Sequence, residues 1–177
     1  MITLTTERLI LRGWRDDDLD ALAAINADPE VMRYIMDGQV RDRQQTEAGL
    51  RRFQAGWAEN GYGIFAIERD GELLGWAGLA VPTFLPEIMP AMEIGWRLGR
   101  HAWGQGYATE AAAAALRFGF EQPGLDRIVS IRHIDNDRSA RVMTKLGMTH
   151  ERDTVVPEVN QPVAVHAITR EQYGRLS

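Results

Sequence analysis

EIGWRLGRHAWGQGYATEAAAAA, Glu93 to Ala115, is the stretch from which the rest of the chain can be read. Its first residues predict a short strand over Glu93 to Leu98. Glycines then mark a tight turn from Gly99 to Gly106, and the alanine run that follows predicts a helix. Gly104 and Gly106 flank Gln105 where that helix should begin, so backbone N–H groups can approach an anion with no Cβ atoms in the way. The helix N-terminus adds a positive partial charge. Taken alone, the segment reads either as a phosphate seat or as a sharp strand-to-helix turn and nothing more, because one G-x-G carries little information.

Composition narrows the context. A chain of 177 residues, 45% hydrophobic and 25% charged, is expected to form one soluble domain, 1–177, with a proper core. It has no cysteine, which excludes disulfides, thiol nucleophiles and thiolate metal sites and fits a reducing cytoplasm. The opening MITLTTERLILRGW carries charges inside its apolar run and does not read as a signal peptide. No stretch approaches the roughly 20 uninterrupted apolar residues of a membrane span, so a cytoplasmic location and no membrane partner are expected. His101, His133, His150 and His166 are scattered without an HExxH-like spacing, and no metal is expected. A formal charge of -5 argues against a general nucleic-acid binder.

Outward from the opening segment, the period alternates between helix and strand. Leu9 to Leu11 is β-like, and Asp16-Asp17-Asp18 places carboxylates at a helix start, with Leu19, Leu22 and Ala23 as its apolar face. Asp28-Pro29-Glu30 opens a helical turn through Met32. A longer helix from about Gln44 to Glu59 carries Thr46, Leu50, Phe53 and Trp57 on one side and stops at Asn60-Gly61. Tyr62 to Glu68 and Glu72 to Val81 read as strands joined through Asp70-Gly71. A loop punctuated by Pro82, Pro86 and Pro90 leads to the opening strand. Beyond the alanine helix come a strand (Arg127 to His133), a helix (Asn136 to Leu146) and two further strands (Met148 to Val156, Val163 to Thr169). The order predicts an α/β (α+β) chain with a largely antiparallel meander in its middle.

The order of elements and three motifs together resemble the GNAT N-acyltransferase superfamily, in particular its ribosomal-protein-alanine N-acetyltransferase (RimJ/RimL-like) branch. The motifs are Glu93-Ile94-Gly95-Trp96, then Trp103-Gly104-Gln105-Gly106-Tyr107-Ala108-Thr109-Glu110-Ala111, and Asn136-x-x-Ser139 ahead of Lys145-Leu146-Gly147-Met148. With Thr6 to Arg12 at the start, the likeness covers nearly the whole chain. It implies a mixed, mostly antiparallel seven-stranded sheet with helices on both faces, and acetyl-CoA as co-substrate.

The resemblance also assigns expected roles. Gly104, Gln105, Gly106, Tyr107 and Ala108 would hold the coenzyme A pyrophosphate through backbone N–H groups. Gly95 to Leu98, on a bulged strand splayed from Arg127 to His133 to admit the pantetheine arm, would supply a backbone N–H to the thioester oxyanion. Trp96, Arg97 and Leu98 count among the cofactor-binding residues, Trp96 and Trp103 line the arm or the turn or else belong to the core, and Asn136 would contact the arm. Family members carry Gln or Arg where this chain has His101. Glu93 is the expected general base, since an amine of pKa about 10.4 must lose a proton before or during attack. Ser139 is the expected general acid, because the tyrosine many members use falls at Met143. From the residues alone, Glu93 reads equally as a surface or capping carboxylate, and Asn136 and Ser139 as a helix cap. The amine acceptor, a small molecule or a protein N-terminus, would meet loops near 34–43, 82–90 and 157–162, where Asp37, Glu87 and Glu158 could attract a cation. A homodimer is left open, and a non-catalytic acyl-CoA-binding module is the alternative reading.

Overall fold

In a computed structural model describing residues 2–176, the strand over Glu93–Leu98 lies inside an eight-stranded sheet rather than at an edge. The strands are β1 (Leu4–Thr5), β2 (Ile10–Arg12), β3 (Ile64–Arg69), β4 (Glu72–Ala80), β5 (Glu93–Leu98), β6 (Arg127–His133), β7 (Thr149–Val156) and β8 (Gln161–Thr169). The helices are α1 (Leu19–Asn26), α2 (Pro29–Met32), α3 (Arg43–Asn60), α4 (Tyr107–Glu121), α5 (Asp137–Lys145) and α6 (Arg170–Gly174). Strand order is β1-β2-β3-β4-β5-β6-β8-β7, and every neighbouring pair is antiparallel except β5 with β6.

The expected seven strands become eight because the chain's start folds back on itself. Thr6 N–H donates to the Leu9 carbonyl, and Leu9 N–H donates to the Thr6 hydroxyl at 3.0 Å. This side-chain turn lays Leu4 and Thr5 against Leu11 and Ile10. The hairpin between β3 and β4 turns at Asp70 and Gly71, both with positive φ. Asp42 and Gln45 form a reciprocal capping box that starts α3, and Gly61, at φ 70°, ends it.

Helices cover both faces of the sheet. Leu22 of α1 and Leu50 of α3 pack with Trp14, Ile64, Ala66 and Leu73 on one face. On the other, α4 contributes Ala111, Ala115, Leu116 and Phe118 to a larger core with Phe65, Leu79, Ile94 and Ile128. A Cβ on Gly119 would lie 2.8 Å from Ile128 Cδ1 and 3.1 Å from Leu79 Cδ1, so the small face of α4 lets it rest directly on β4 and β6. Nearer its start, Tyr107 and Ala111 share the same core with Ile94 and Leu98 of β5.

Candidate active site

The turn before α4 is built from backbone that only glycine adopts readily. Gly104 and Gly106 have φ of 75° and 82°, and no side chain caps the helix. Glu110 N–H makes the first helical bond, to the Gly106 carbonyl. The N–H groups from Gly104 through Thr109 have no acceptor among the described residues. A run of free donors at the positive end of a fifteen-residue helix suits a phosphate oxygen array.

A clamp that sequence reasoning missed holds this turn. Glu110 accepts from Thr6 Oγ1 at 2.6 Å, from Arg8 N–H at 2.9 Å and from Arg8 Nε at 2.7 Å. Arg8 Nη1 then donates to the Gln105 carbonyl at 2.9 Å, and its guanidinium lies 4.6 Å over the Tyr107 ring. Burial opposes ionisation of Glu110, but the Thr6 and Arg8 hydrogen bonds outweigh it and hold its carboxyl below the usual range. The pairing spans about a hundred residues of chain, so neither partner announces the other in sequence. His101, where the resemblance implies Gln or Arg, is exposed and points toward Glu72, 3.4 Å away.

Beside the turn, β5 and β6 part company. Their only registered pair is Glu93 with Val129, and Ser130 Oγ, fully buried, donates to the Ile94 carbonyl at 2.8 Å at the fork. Beyond it, Trp96 and Leu98 turn their backbone groups to the open side, because neighbouring residues of a strand point their polar groups to opposite edges. Trp103 Nε1 takes the Leu98 carbonyl at 2.9 Å. The splay is as expected; the bulge is not, since β4 and β5 pair one-to-one from Gly75–Leu98 to Ala80–Glu93. Gly75, at φ 145°, permits this close pairing: a Cβ there would meet the Arg97 carbonyl at 2.1 Å.

A cleft of about 780 Å³ runs from the fork to the turn. It brings together Trp96, Arg97, Leu98, Gly104, Gly106, Tyr107, Ala108, Asn136 and Ser139. Gln105 is not on its wall; its side chain donates to the His101 carbonyl and its own carbonyl anchors Arg8. The cleft also gains Arg138, Arg141 and Lys145 from α5, and Arg138 stacks 4.2 Å over Trp103. Their helical spacing was a readable signal for a cationic wall facing phosphates. Asn136 is the N-cap of α5, accepting from Ser139 N–H at 3.2 Å, so the capping reading of that pair holds. Met143 is buried in the core.

Glu93 stands apart from this cleft. Residues of β5 alternate between faces, so Glu93, Gly95 and Arg97 look toward the α1–α3 side while Ile94, Trp96 and Leu98 look toward α4. Glu93 keeps some accessible surface, yet protein atoms crowd its carboxylate. Burial pushes its pKa up to about 8, with the facing Ile131 backbone N–H pulling weakly the other way. The expected acceptor loops do converge, as Met36, Phe84, Leu85, Ile88 and Val159 share one cluster and Gln161 Nε2 donates to the Tyr34 carbonyl. Their carboxylates do not: Asp37, Glu87 and Glu158 are exposed, and Asp37 pairs with Arg41 at 3.2 Å.

Residues 8–149 match the acetyltransferase (GNAT) domain family. The chain belongs to that family. It is 35% identical over 168 residues to the protein YkkB of Bacillus subtilis (strain 168), covering 92% of this chain and 93% of that one. It is 30% identical over 185 residues to the FsC-acetyl coenzyme A-N(2)-transacetylase of Aspergillus fumigatus, covering 98% and 79%. A GNAT-family acetyltransferase structure from Bacillus anthracis superposes with a TM-score of 0.79 at 27% identity, covering 96% and 99%. RimL, the ribosomal L7/L12 alpha-N-protein acetyltransferase solved with coenzyme A, shares the fold at a TM-score of 0.77 and 17% identity, covering 95% and 98%. At that identity the likeness concerns fold and does not place this GNAT chain in the RimJ/RimL-like branch.

Proposed function

We propose that this GNAT domain, acting as one unit, transfers the acetyl group of acetyl-CoA to a primary amine, of a small molecule or a protein N-terminus, by direct attack in a ternary complex. The observation that carries the reading is the run of unpaired N–H groups from Gly104 to Thr109 beside the β5–β6 fork. The free donors suit the pyrophosphate, and the fork leaves room for an extended arm to lie against Trp96 and Leu98. Arg138, Arg141 and Lys145 supply charge for the remaining phosphate. Assignment to the RimJ/RimL-like branch and a cytoplasmic location rest on the motifs and composition given above.

In the proposed step, Glu93 accepts a proton from the ammonium group, the amine nitrogen attacks the thioester carbonyl carbon, and the carbon–sulfur bond breaks. Backbone N–H of Trp96 or Leu98 faces the oxyanion, and Ser139, on the cleft wall, passes its hydroxyl proton to the leaving thiolate and takes the second proton of the attacking nitrogen in return. With a pKa of about 8, Glu93 is a stronger base than an ordinary carboxylate once ionised, and is roughly one-tenth ionised at pH 7.

The test is thiol release from acetyl-CoA over a panel of amines, together with thermal denaturation in acetyl-CoA. Turnover on at least one amine class and a raised melting temperature are expected. Stabilisation without turnover on any acceptor would favour the non-catalytic module, and no stabilisation would remove the coenzyme assignment.

A further inference from the structure

A second cavity, of about 420 Å³, lies between α1, α3 and the sheet on the Glu93 face, and the mechanism leaves it unused. Its polar wall is Asn26, Arg41, Gln45, Arg52, Trp76 and Arg97, and no aspartate or glutamate lines it. Arg97 is half-buried and makes one side-chain hydrogen bond, Nη1 to Asn26 Oδ1 at 2.8 Å. Its Nε and the Trp76 Nε1 are closed off from bulk solvent and have no acceptor. The guanidinium lies 5.1 Å from the centroid of the Trp76 ring.

A guanidinium held among protein atoms without a carboxylate is costly, and unpaired buried donors add to the cost. Burial, followed by repulsion from Arg41, lowers the Arg97 pKa to about 10. Arg41 finds Asp37 at 3.2 Å, but Asp37 is exposed and off the cavity wall, and Arg52 has no carboxylate partner among the described residues. The cavity therefore concentrates positive charge with no carboxylate on its wall to balance it.

Arg97 and Ile35 line both this cavity and the larger cleft, so the two spaces adjoin at β5. On the shared face of β5, Glu93 and Arg97 are four residues apart, about 13 Å along the strand, and the Trp76 ring covers Gly95 between them, 3.5 Å from where a Cβ would stand. A carboxylate held at Arg97 therefore leaves the rest of its molecule to enter the larger cleft beside Ile35, where the two spaces adjoin.

Resting on the acetyltransferase reading, we infer that this cavity is an acceptor subsite for a carboxylate, so that the acceptor is a small amino acid-like amine rather than a polyamine or an uncharged amine. The guanidinium of Arg97, with Nη1 already on Asn26, offers its charge and the remaining Nη2 donor to a carboxylate oxygen, and Arg41 and Arg52 add field from the rim. The cavity volume fits a small metabolite.

The test uses the full chain, acetyl-CoA and matched acceptors: a series of α-, β- and γ-amino acids, each beside its carboxamide and its decarboxylated amine. In thiol release, the carboxylate member of each set should have a kcat/KM at least about tenfold higher. Arg41→Gln and Arg97→Gln should each shrink that ratio at least about threefold, with folding checked by the acetyl-CoA thermal shift. Equal or better turnover of the carboxamides or decarboxylated amines, or a ratio unmoved in both variants, overturns the inference and leaves the acetyltransferase reading standing. A second arm needs no turnover: the melting temperature of coenzyme A-saturated protein in sodium propionate against sodium chloride at equal ionic strength. A propionate-specific rise that both variants lose upholds the anion site even if no amine is acetylated, and its absence from the wild type overturns it.

Discussion

Glu93 is the residue whose chemistry depends most on its surroundings. Because its pKa rises from 4.5 to about 8 on folding, the folded chain binds more protons than the unfolded one between those values. Its contribution to stability is complete below the ordinary carboxylate range and is lost as pH rises through about 8. In the proposed mechanism the dependence runs the other way, since Glu93 as base must be ionised, so turnover should climb through about pH 8 to a plateau. Glu93→Gln is expected to lower kcat about a hundredfold or more and remove that limb from the pH–rate profile. It should also flatten the dependence of melting temperature on pH between 5 and 8.5, while acetyl-CoA affinity stays within about twofold of wild type. The sequence supports Glu93 as a carboxylate on a strand, but its crowding comes from β6 and the loops, which no local pattern reveals. Arg97 was legible only as part of a backbone wall, because its cavity is assembled from α1 and α3.

The glycine turn and the helix behind it were readable as an element, since G-x-G before an alanine run has a local physical meaning. What the element leans on was not. Gly104→Ala and Gly106→Ala both place a side chain at positive φ and should each cost about 1–2 kcal/mol of stability. They should differ in detail: open space surrounds a Cβ at 104, whereas one at 106 lies 3.4 Å from Arg8 Nη2. That contact is of ordinary length, so the larger loss of acetyl-CoA affinity at 106, expected at about tenfold or more by calorimetric titration, comes from a methyl at the N-cap of α4 beside the free donors. Glu110→Ala leaves Thr6 Oγ1, Arg8 N–H and Arg8 Nε without their acceptor and is expected to cost about 1–3 kcal/mol, measured by urea denaturation, and to weaken coenzyme binding although residue 110 does not line the cleft. The hairpin at Asp70-Gly71 and the bounds of α3 followed from turn and capping chemistry. Strand β1 did not, because a threonine hydroxyl, not a glycine or proline, makes its turn.

At the scale of the molecule, ligand and sheet share one framework. Acetyl-CoA at about a hundred times its Kd should add about 2.7 kcal/mol, a rise of roughly 5–10 °C in melting temperature for a chain of this size. Gly75→Ala drives a Cβ into the Arg97 carbonyl at 2.1 Å and the Leu98 Cα at 2.7 Å. It should destabilise the fold by about 2–4 kcal/mol and weaken acetyl-CoA binding with it, because β4 sets the position of β5. The alternating elements made the sheet and its two helical layers foreseeable; the fork, the basic wall of α5 and the arginine cavity arise only when distant segments meet. The clamp carries that point into folding. Thr6 and Glu110 are separated by 104 positions, so the coenzyme turn reaches its final shape only after that long loop has closed. Ribosome-bound chains ending before residue 110 would already carry Thr6 and Arg8 yet lack their anchor. Trimming that removes Thr6 and Arg8 would show its damage about a hundred residues away, at the turn proposed to hold the coenzyme.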